Sequence, residues 1–158
     1  MEFRIRRARL TDTEAIAELY LQFWKPHRDV DPLLKFKRKI TLESQICSAK
    51  RNIRKRHSYT LVADQKGKLI GFIEFFIKNN EDCFKIKRYG YLNAAATRID
   101  YRGRGVAKAL TIEALKILKA KKIKYIRTNV YNKNKVALKT WTKLGFKPQS
   151  TLLMMRIK

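Results

Sequence analysis

The sequence predicts a mixed α/β fold, a sheet carrying helices on its faces, and three observations predict it. Apolar and basic residues alternate over Phe3–Arg9, which is the period of a half-buried strand. Apolar residues recur at helical spacing over about Asp12–Trp24 and again from Val106 to about Ala120. Between these helices, Ser58–Asp64 and Leu69–Ile77 form two apolar runs joined by Gln65-Lys66-Gly67-Lys68, the pattern of a hairpin.

The elements follow in order. Thr11 to Glu14 reads as a capping box, a hydroxyl followed three residues on by a carboxylate. The helix that follows places Ala15, Ile16, Leu19, Tyr20 and Phe23 on one face, and Pro26 and Asp31-Pro32 break it. Leu33–Arg56 is a second helical region, interrupted near Thr41 and ending in the basic cluster Lys50, Arg51, Arg54, Lys55 and Arg56. After the hairpin and a polar loop at 79–82, Tyr89–Arg98 is a third strand, rich in alanine. A strong helix begins at Val106, a short strand spans Ile123–Val130, and a helix over Lys135–Leu144 closes at Gly145, an expected position just past a helix end. Phe146–Lys158 is a last strand segment interrupted by Pro148. The predicted order is β-α-α-β-β-β-α-β-α-β, one domain over residues 1–158, without repeats or a linker.

Composition excludes several classes. The chain has 158 residues, 45% of them hydrophobic and 32% charged, interleaved so that a core can form and the profile of a disordered chain is absent. No apolar run approaches the roughly 18–20 residues of a membrane span, and Met1–Arg6 lacks a secretory signal. Cys47 and Cys83 have no CxxC partner, so neither a disulfide scaffold nor a structural zinc is expected, and a reducing cytoplasm is the expected compartment. No metal is expected, and His27 and His57, in polar surroundings, read as surface residues.

The net charge is +25, enough to attract polyanions over about a Debye length, roughly 8–10 Å. The imbalance grows toward the end: Ala114–Lys158 carries basic residues and no Asp or Glu. Nucleic acid, an acidic protein surface or a phosphorylated cofactor would each answer to such a field, as would a general lysine bias with no partner at all.

The segment that carries chemistry runs from Thr97 to Ala107. A strand ends, a glycine-bearing turn follows, and a helix begins. Backbone N–H groups at such a junction, with the helix dipole behind them, form a cup for an anionic oxygen, above all a pyrophosphate. Gly103 and Gly105 let backbone approach closely, and Arg102 and Arg104 add charge at the rim. A dinucleotide-binding turn needs GxGxxG and a later acidic residue, yet Lys121-Lys122 stands where that acid belongs; a Walker loop is absent.

Arg102-x-x-Gly105-x-Ala107 resembles the Q/R-x-x-G-x-G/A signature of the GNAT N-acetyltransferase superfamily. Asn134, Ala137, Trp141, Gly145 and Phe146 resemble that family's second pattern, N-x-x-A-x-x-x-Y/F-x-x-x-G-F, and one helix and one strand separate the two motifs, as in the family. The resemblance extends from Phe3 to Ile157. It implies the acyl-CoA N-acyltransferase fold, with a mostly antiparallel central sheet and helices on both faces. It also implies acetyl-CoA as the acetyl donor, leaving as CoA, with direct attack by an amine in a ternary complex.

Residue by residue, the resemblance implies that Thr97 and Ile99 offer backbone groups to the pantetheine arm. Arg102, Gly103, Arg104, Gly105, Val106 and Ala107 would hold the pyrophosphate, and Asn134 would contact the cofactor or order water. Many relatives have Tyr where this chain has Trp141, and an indole is too weak an acid to replace a phenol, so Tyr131 or Tyr91 is the candidate proton donor, with water as another. Trp141 itself reads as a core aromatic or a cofactor contact. Some relatives carry a carboxylate at the position of Tyr91 and others at that of Asn129, and neither is acidic here. Glu74, flanked by Phe72, Ile73, Phe75 and Phe76, is the carboxylate inside a predicted central strand. A carboxyl there is costly unless exposed or functional, which makes Glu74 the candidate base against a solvent-facing or ion-paired alternative. Asn93 shares strand parity with Tyr91, and Asp100 is expected to cap the turn.

The charge disfavours polyamines and lysine-rich tails as acceptors. The leading expectation is an N-acetyltransferase acting on a protein N-terminus or lysine. The alternatives are a small-molecule amine acetylator, of polyamines or antibiotic-like compounds, and a non-catalytic module of the same fold that binds nucleic acid or a ribosome. Lys135, Lys139 and Lys143 form a stripe along the last helix that reads either as a solvated face or, with the 50–56 cluster, as a docking surface for RNA or an acidic protein. No membrane partner is expected, and the chain would act as a monomer or homodimer.

Overall fold

The computed structural model describes residues 2–24, 40–153 and 155. Strand β1 (Arg4–Arg7) leads through a 3-10 turn at Leu10–Asp12 into α1 (Thr13–Trp24). Then come α2 (Leu42–Arg54), β2 (Ser58–Gln65), β3 (Lys68–Asn79), β4 (Arg88–Thr97), α3 (Val106–Ala120), β5 (Ile126–Thr128) and α4 (Lys135–Lys143). The sheet order is β1-β2-β3-β4-β5. The first four strands are antiparallel and β5 joins β4 in parallel.

The core has two halves, one on each face of the sheet. On one face Leu61, Ile73, Phe75 and Leu92 meet Val106, Leu110, Ala114 and Leu118 of α3. On the other, Val62, Phe72 and Ala94 meet Ile16, Leu19 and Tyr20 of α1 and Ala49 of α2. Phe72 and Phe75 are both fully buried, facing opposite ways, and burying each side chain contributes about 1.5–3 kcal/mol. Helix α3 lies close on the sheet because Gly71 has no side chain: a Cβ there would stand 2.9 Å from Val106 Cγ1 and 3.0 Å from the Ala96 carbonyl. That close approach sets the first turn of α3 beside the end of β4.

The expected capping box forms differently. The acceptor is the Asp12 carboxylate, which takes the Arg9 backbone N–H at 2.6 Å and the Arg6 guanidinium at 2.7 and 2.9 Å. Arg6 also donates to Asp64 at 2.9 Å, so this carboxylate is held from two elements and prevails over the neighbouring Thr11 hydroxyl. At α2 the expected interruption near Thr41 is the helix start itself: the Thr41 hydroxyl accepts the Ser44 N–H. The earlier part of the predicted second helical region, with Pro26, His27 and Asp31-Pro32, lies outside the described residues.

The expected last strand over Phe146–Lys158 is corrected. Residues 146–153 and 155 are irregular; 154 and 156–158 lie outside the described residues. Pro148 lacks the N–H a ladder needs, and the polar run around it provides no apolar face to dock. The strand predicted over Ile123–Val130 shortens to Ile126–Thr128.

Candidate functional site

The turn after β4 is made by backbone. Gly103 and Gly105 have φ of +74° and +81°, a region costly for residues with a Cβ. An added Cβ at either would meet nothing within 4 Å, so the space beside the turn is open. Gly105 is the N-cap of α3 and no side chain caps it, so the first N–H groups of the helix face outward with the positive end of its dipole. Arg102 and Arg104 are exposed at the rim, and Arg102 Nε donates to the Thr97 carbonyl at 3.4 Å. Val106 is buried and anchors the helix start, while Ala107 is half-buried. The combination suits a pyrophosphate: open backbone donors, a dipole and two guanidiniums.

Strand β4 leads to this turn along a half-open edge. β5 pairs only with Gly90, Tyr91 and Leu92, so among the described residues Asn93–Thr97 has β3 on one side and no strand on the other. Thr97 ends β4, and Ile99 is 65% exposed in a 3-10 turn over Ile99–Tyr101. Asp100 lies within that turn, which no side chain caps.

The β3–β4 register shifts where Glu74 pairs with Ala94 and Phe75 with Leu92, leaving Asn93 as the extra residue. Such a bulge re-aims the side chains beyond it: Leu92 faces α3, whereas Ala94 faces α1 and α2. Glu74 points to the α1/α2 side and is 1% exposed. The Asn93 side-chain amide donates to Glu74 Oε1 at 2.7 Å. Among the described residues Glu74 Oε2 and the Tyr20 hydroxyl are both buried without a hydrogen-bond partner. Burial raises the Glu74 pKa, and the polar groups of Tyr20, Asn93 and Asn52 only partly offset it. Burial, followed by the neighbouring carboxyl, pushes the Tyr20 phenol far up.

Above this pair is a cleft of about 220 Å³ lined by Tyr20, Trp24, Ile40, Gln45, Ser48, Arg51, Asn52 and Asn93. Among the described residues its lining contains no carboxylate, and its one cation is Arg51. A carboxyl that titrates above the usual range, with one free oxygen beside a polar cleft, is suited to receive a proton from an amine.

The remaining candidates lie apart. Tyr91 is half-buried, with its pKa raised by burial, and Lys78 Nζ sits 3.8 Å from its ring centroid. It shares the Glu74 face but does not line the cleft. Tyr131 is half-buried in the turn before α4, where its carbonyl accepts the Asn134 N–H at 2.8 Å. The Asn134 side chain caps α4, accepting the Ala137 N–H at 3.1 Å. Trp141 packs edge-on to Phe146 at 5.4 Å against the α3-side core. His57 is exposed, Cys47 and Cys83 are free and exposed, and among the described residues no group of side chains could hold a metal. No helix among them is long and apolar enough to cross a membrane.

Sequence reasoning missed Tyr20, Asn52 and Arg51. Tyr20 falls on the apolar face of α1 and reads as core, and Asn52 and Arg51 sit inside a basic run that reads as a solvated face or a docking surface rather than as cleft lining. Only the buried position of Glu74 in sequence hinted that something polar must come to meet it.

A strand ending in an uncapped, cation-rimmed helix start, beside a half-open sheet edge, has the donors and the open space that a pyrophosphate-bearing ligand needs. The chain belongs to the acetyltransferase (GNAT) family, whose pattern matches residues 13–146. It is an acetyl-CoA-dependent N-acetyltransferase. Solved structures that share the fold include three of different activity or origin. The aminoglycoside N-acetyltransferase AAC(6′)-Iy, in complex with CoA, superposes with a TM-score of 0.80 at 19% identity, covering 99% of this chain and 95% of that one. A tetramutant of the BH1408 protein of Bacillus halodurans gives 0.85 at 18%, over 98% and 99%. The ribosomal-protein-alanine N-acetyltransferase of Brucella melitensis biovar Abortus 2308 gives 0.72 at 18%, over 99% and 100%. No curated protein matches in sequence.

Proposed function

We propose that the chain, acting as one transferase domain over residues 1–158, acetylates a primary amine of a protein, an N-terminus or a lysine. The observation that carries this reading is Glu74: a buried carboxyl whose Oε2 has no hydrogen-bond partner among the described residues, beside a cleft lined by Tyr20, Asn93 and Arg51. Acetyl-CoA supplies an activated thioester.

Gly103, Gly105 and the first turn of α3 hold its pyrophosphate, and Arg102 and Arg104 neutralise charge there. The open edge of β4 up to Thr97 and Ile99 aligns the pantetheine and presents a backbone N–H to the thioester oxygen. Asn93 fixes Glu74 Oε1 so that Oε2 faces the incoming amine and takes its proton, directly or through one water. Tyr91, kept protonated by burial, and Tyr131 are the phenols from which the departing thiolate would draw a proton. Asn134, committed to capping α4, positions the helix that follows Tyr131.

The aminoglycoside enzymes that share this fold favour a second reading, a small-molecule amine. Against it stands the cleft itself. Polycationic aminoglycosides and polyamines need acidic linings, and here, among the described residues, the lining carries Arg51 and no carboxylate on a chain of net charge +25. The first test is calorimetric titration with acetyl-CoA, for which saturable binding at micromolar level or tighter is expected. An acceptor panel follows, with peptides bearing free N-termini, peptides bearing lysine, spermidine and an aminoglycoside. Turnover confined to the last two would overturn the protein-acceptor reading.

A further inference from the structure

On the Glu74 side of the sheet, past the end of the helix layer, three aromatic rings lie on adjacent strands. Phe76 of β3 pairs in register with Tyr91 of β4, and Lys78 pairs with Tyr89. All four therefore share one face, and Arg127 of β5, in register with Tyr91, joins them. Each ring carries a cation: Lys55 Nζ is 5.4 Å from the Phe76 centroid, Lys78 Nζ 3.8 Å from that of Tyr91, and the Arg127 guanidinium 4.6 Å from that of Tyr89. The three rings are half-buried, while Lys55, Lys78, Arg88 and Arg127 are exposed. Among the described residues, the acids of this end, Glu81 and Asp82, belong to the β3–β4 connection rather than to the face.

The transfer chemistry calls on Tyr91 alone of these rings and on none of the cations beside them. Phe76 and Tyr91 stand on strands about 4.8 Å apart and Tyr89 lies about 6.8 Å from Tyr91 along its strand, so flat π surfaces alternate with positive ends. Bases stack on rings or on a guanidinium plane, and phosphates pair with the cations, without a required sequence. An acidic peptide would use the cations and leave the rings idle. We propose that the Phe76–Tyr91–Tyr89 face is a docking platform for single-stranded nucleic acid. It adjoins the acceptor cleft, since Glu74 and Asn93 lie two residues further along the same two strands. A strand held there would bring a nucleic-acid-bound protein to the cleft. The proposal concerns binding, and stands whether or not the acceptor reading does.

The test is fluorescence anisotropy of the full chain with a labelled single-stranded oligonucleotide of mixed sequence, a duplex of that sequence and a polyglutamate peptide, over a salt series. The single strand is expected to bind most tightly. Tyr89→Leu, which keeps an apolar side chain, is expected to weaken it about tenfold, in line with about 1–3 kcal/mol per stacked base, while leaving acetyl-CoA affinity unchanged. Lys78→Ala with Arg127→Ala is expected to reduce the salt slope by about 1.4, two contacts at about 0.7 each. Equal affinity for polyglutamate, unchanged binding by Tyr89→Leu, or a loss obtained only by replacing Lys135, Lys139 and Lys143 on α4 would each overturn the platform. If Tyr89→Leu lowers the melting temperature appreciably, the Lys78/Arg127 pair on the surface carries the test alone.

Discussion

The two halves of the site are built from different materials. The turn at Arg102–Ala107 is backbone: its donors are N–H groups, its shape comes from two positive-φ glycines, and its side chains stand at the rim. The Glu74 pocket is side chain: a carboxyl on β3, an amide on the β4 bulge, a phenol on α1 and an amide on α2 converge from four elements. The first half depends on local sequence and tolerates change elsewhere. The second depends on how the elements pack, and any one of them can spoil it.

The sharpest way to break this contrast is Glu74→Gln. The amide keeps an oxygen for Asn93 but cannot take a proton, so kcat is expected to fall by about 10²- to 10⁴-fold at neutral pH. The rising limb of the parental rate against pH, set by the raised Glu74 pKa, should vanish in a pH–rate profile. A parallel profile in parent and variant would remove Glu74 as the base. Stability should move the other way. A carboxyl with a folded pKa above its unfolded value favours the fold below the unfolded value and loses that benefit as pH rises through the folded one. Thermal melts should therefore show Glu74→Gln gaining on the parent above that pH.

Gly105→Val addresses the backbone half. Its Cβ meets open space, so the fold should survive with a melting temperature lower by several degrees. The φ of +81° is strained for a β-branched residue, so acetyl-CoA affinity should drop at least about tenfold by calorimetry. Unchanged affinity would separate the turn from the pyrophosphate. Tyr20→Phe is gentler. Removing a buried hydroxyl that has no partner should leave stability equal or improved by up to about 1 kcal/mol, while kcat/KM falls a few-fold. A large loss would make Tyr20 a participant in proton transfer rather than a neighbour that tunes Glu74. The smallest effect is expected of Arg51→Gln, which should leave acetyl-CoA affinity unchanged. It should modestly raise activity toward cationic acceptors relative to neutral peptides in the acceptor panel.

Most of the fold was legible because its elements announce themselves locally. The α3 helix begins and ends where periodicity places it, and the hairpin turns at Gly67 as expected. The last strand was not, because a segment such as Phe146–Lys158 says nothing by itself about whether a partner edge is within reach, and Pro148 interrupts it. The first cap was misassigned because Thr11 and Asp12 are equally good on paper. Arg6, bridging Asp12 and Asp64, decides between them, and it belongs to another element.

By itself the sequence determined the glycine turn ahead of α3 and the family, since a cup of N–H groups needs only glycines at set positions ahead of a helix. It also marked Glu74 as a carboxyl in an apolar strand. Only the tertiary structure decided which face that carboxyl takes, that the Asn93 bulge brings an amide to it, and that Tyr20 and Asn52 close over it. It alone set Phe76, Tyr89 and Tyr91 side by side under three cations. Register and face are consequences of long-range pairing, and one extra residue in a strand reverses them for every side chain beyond.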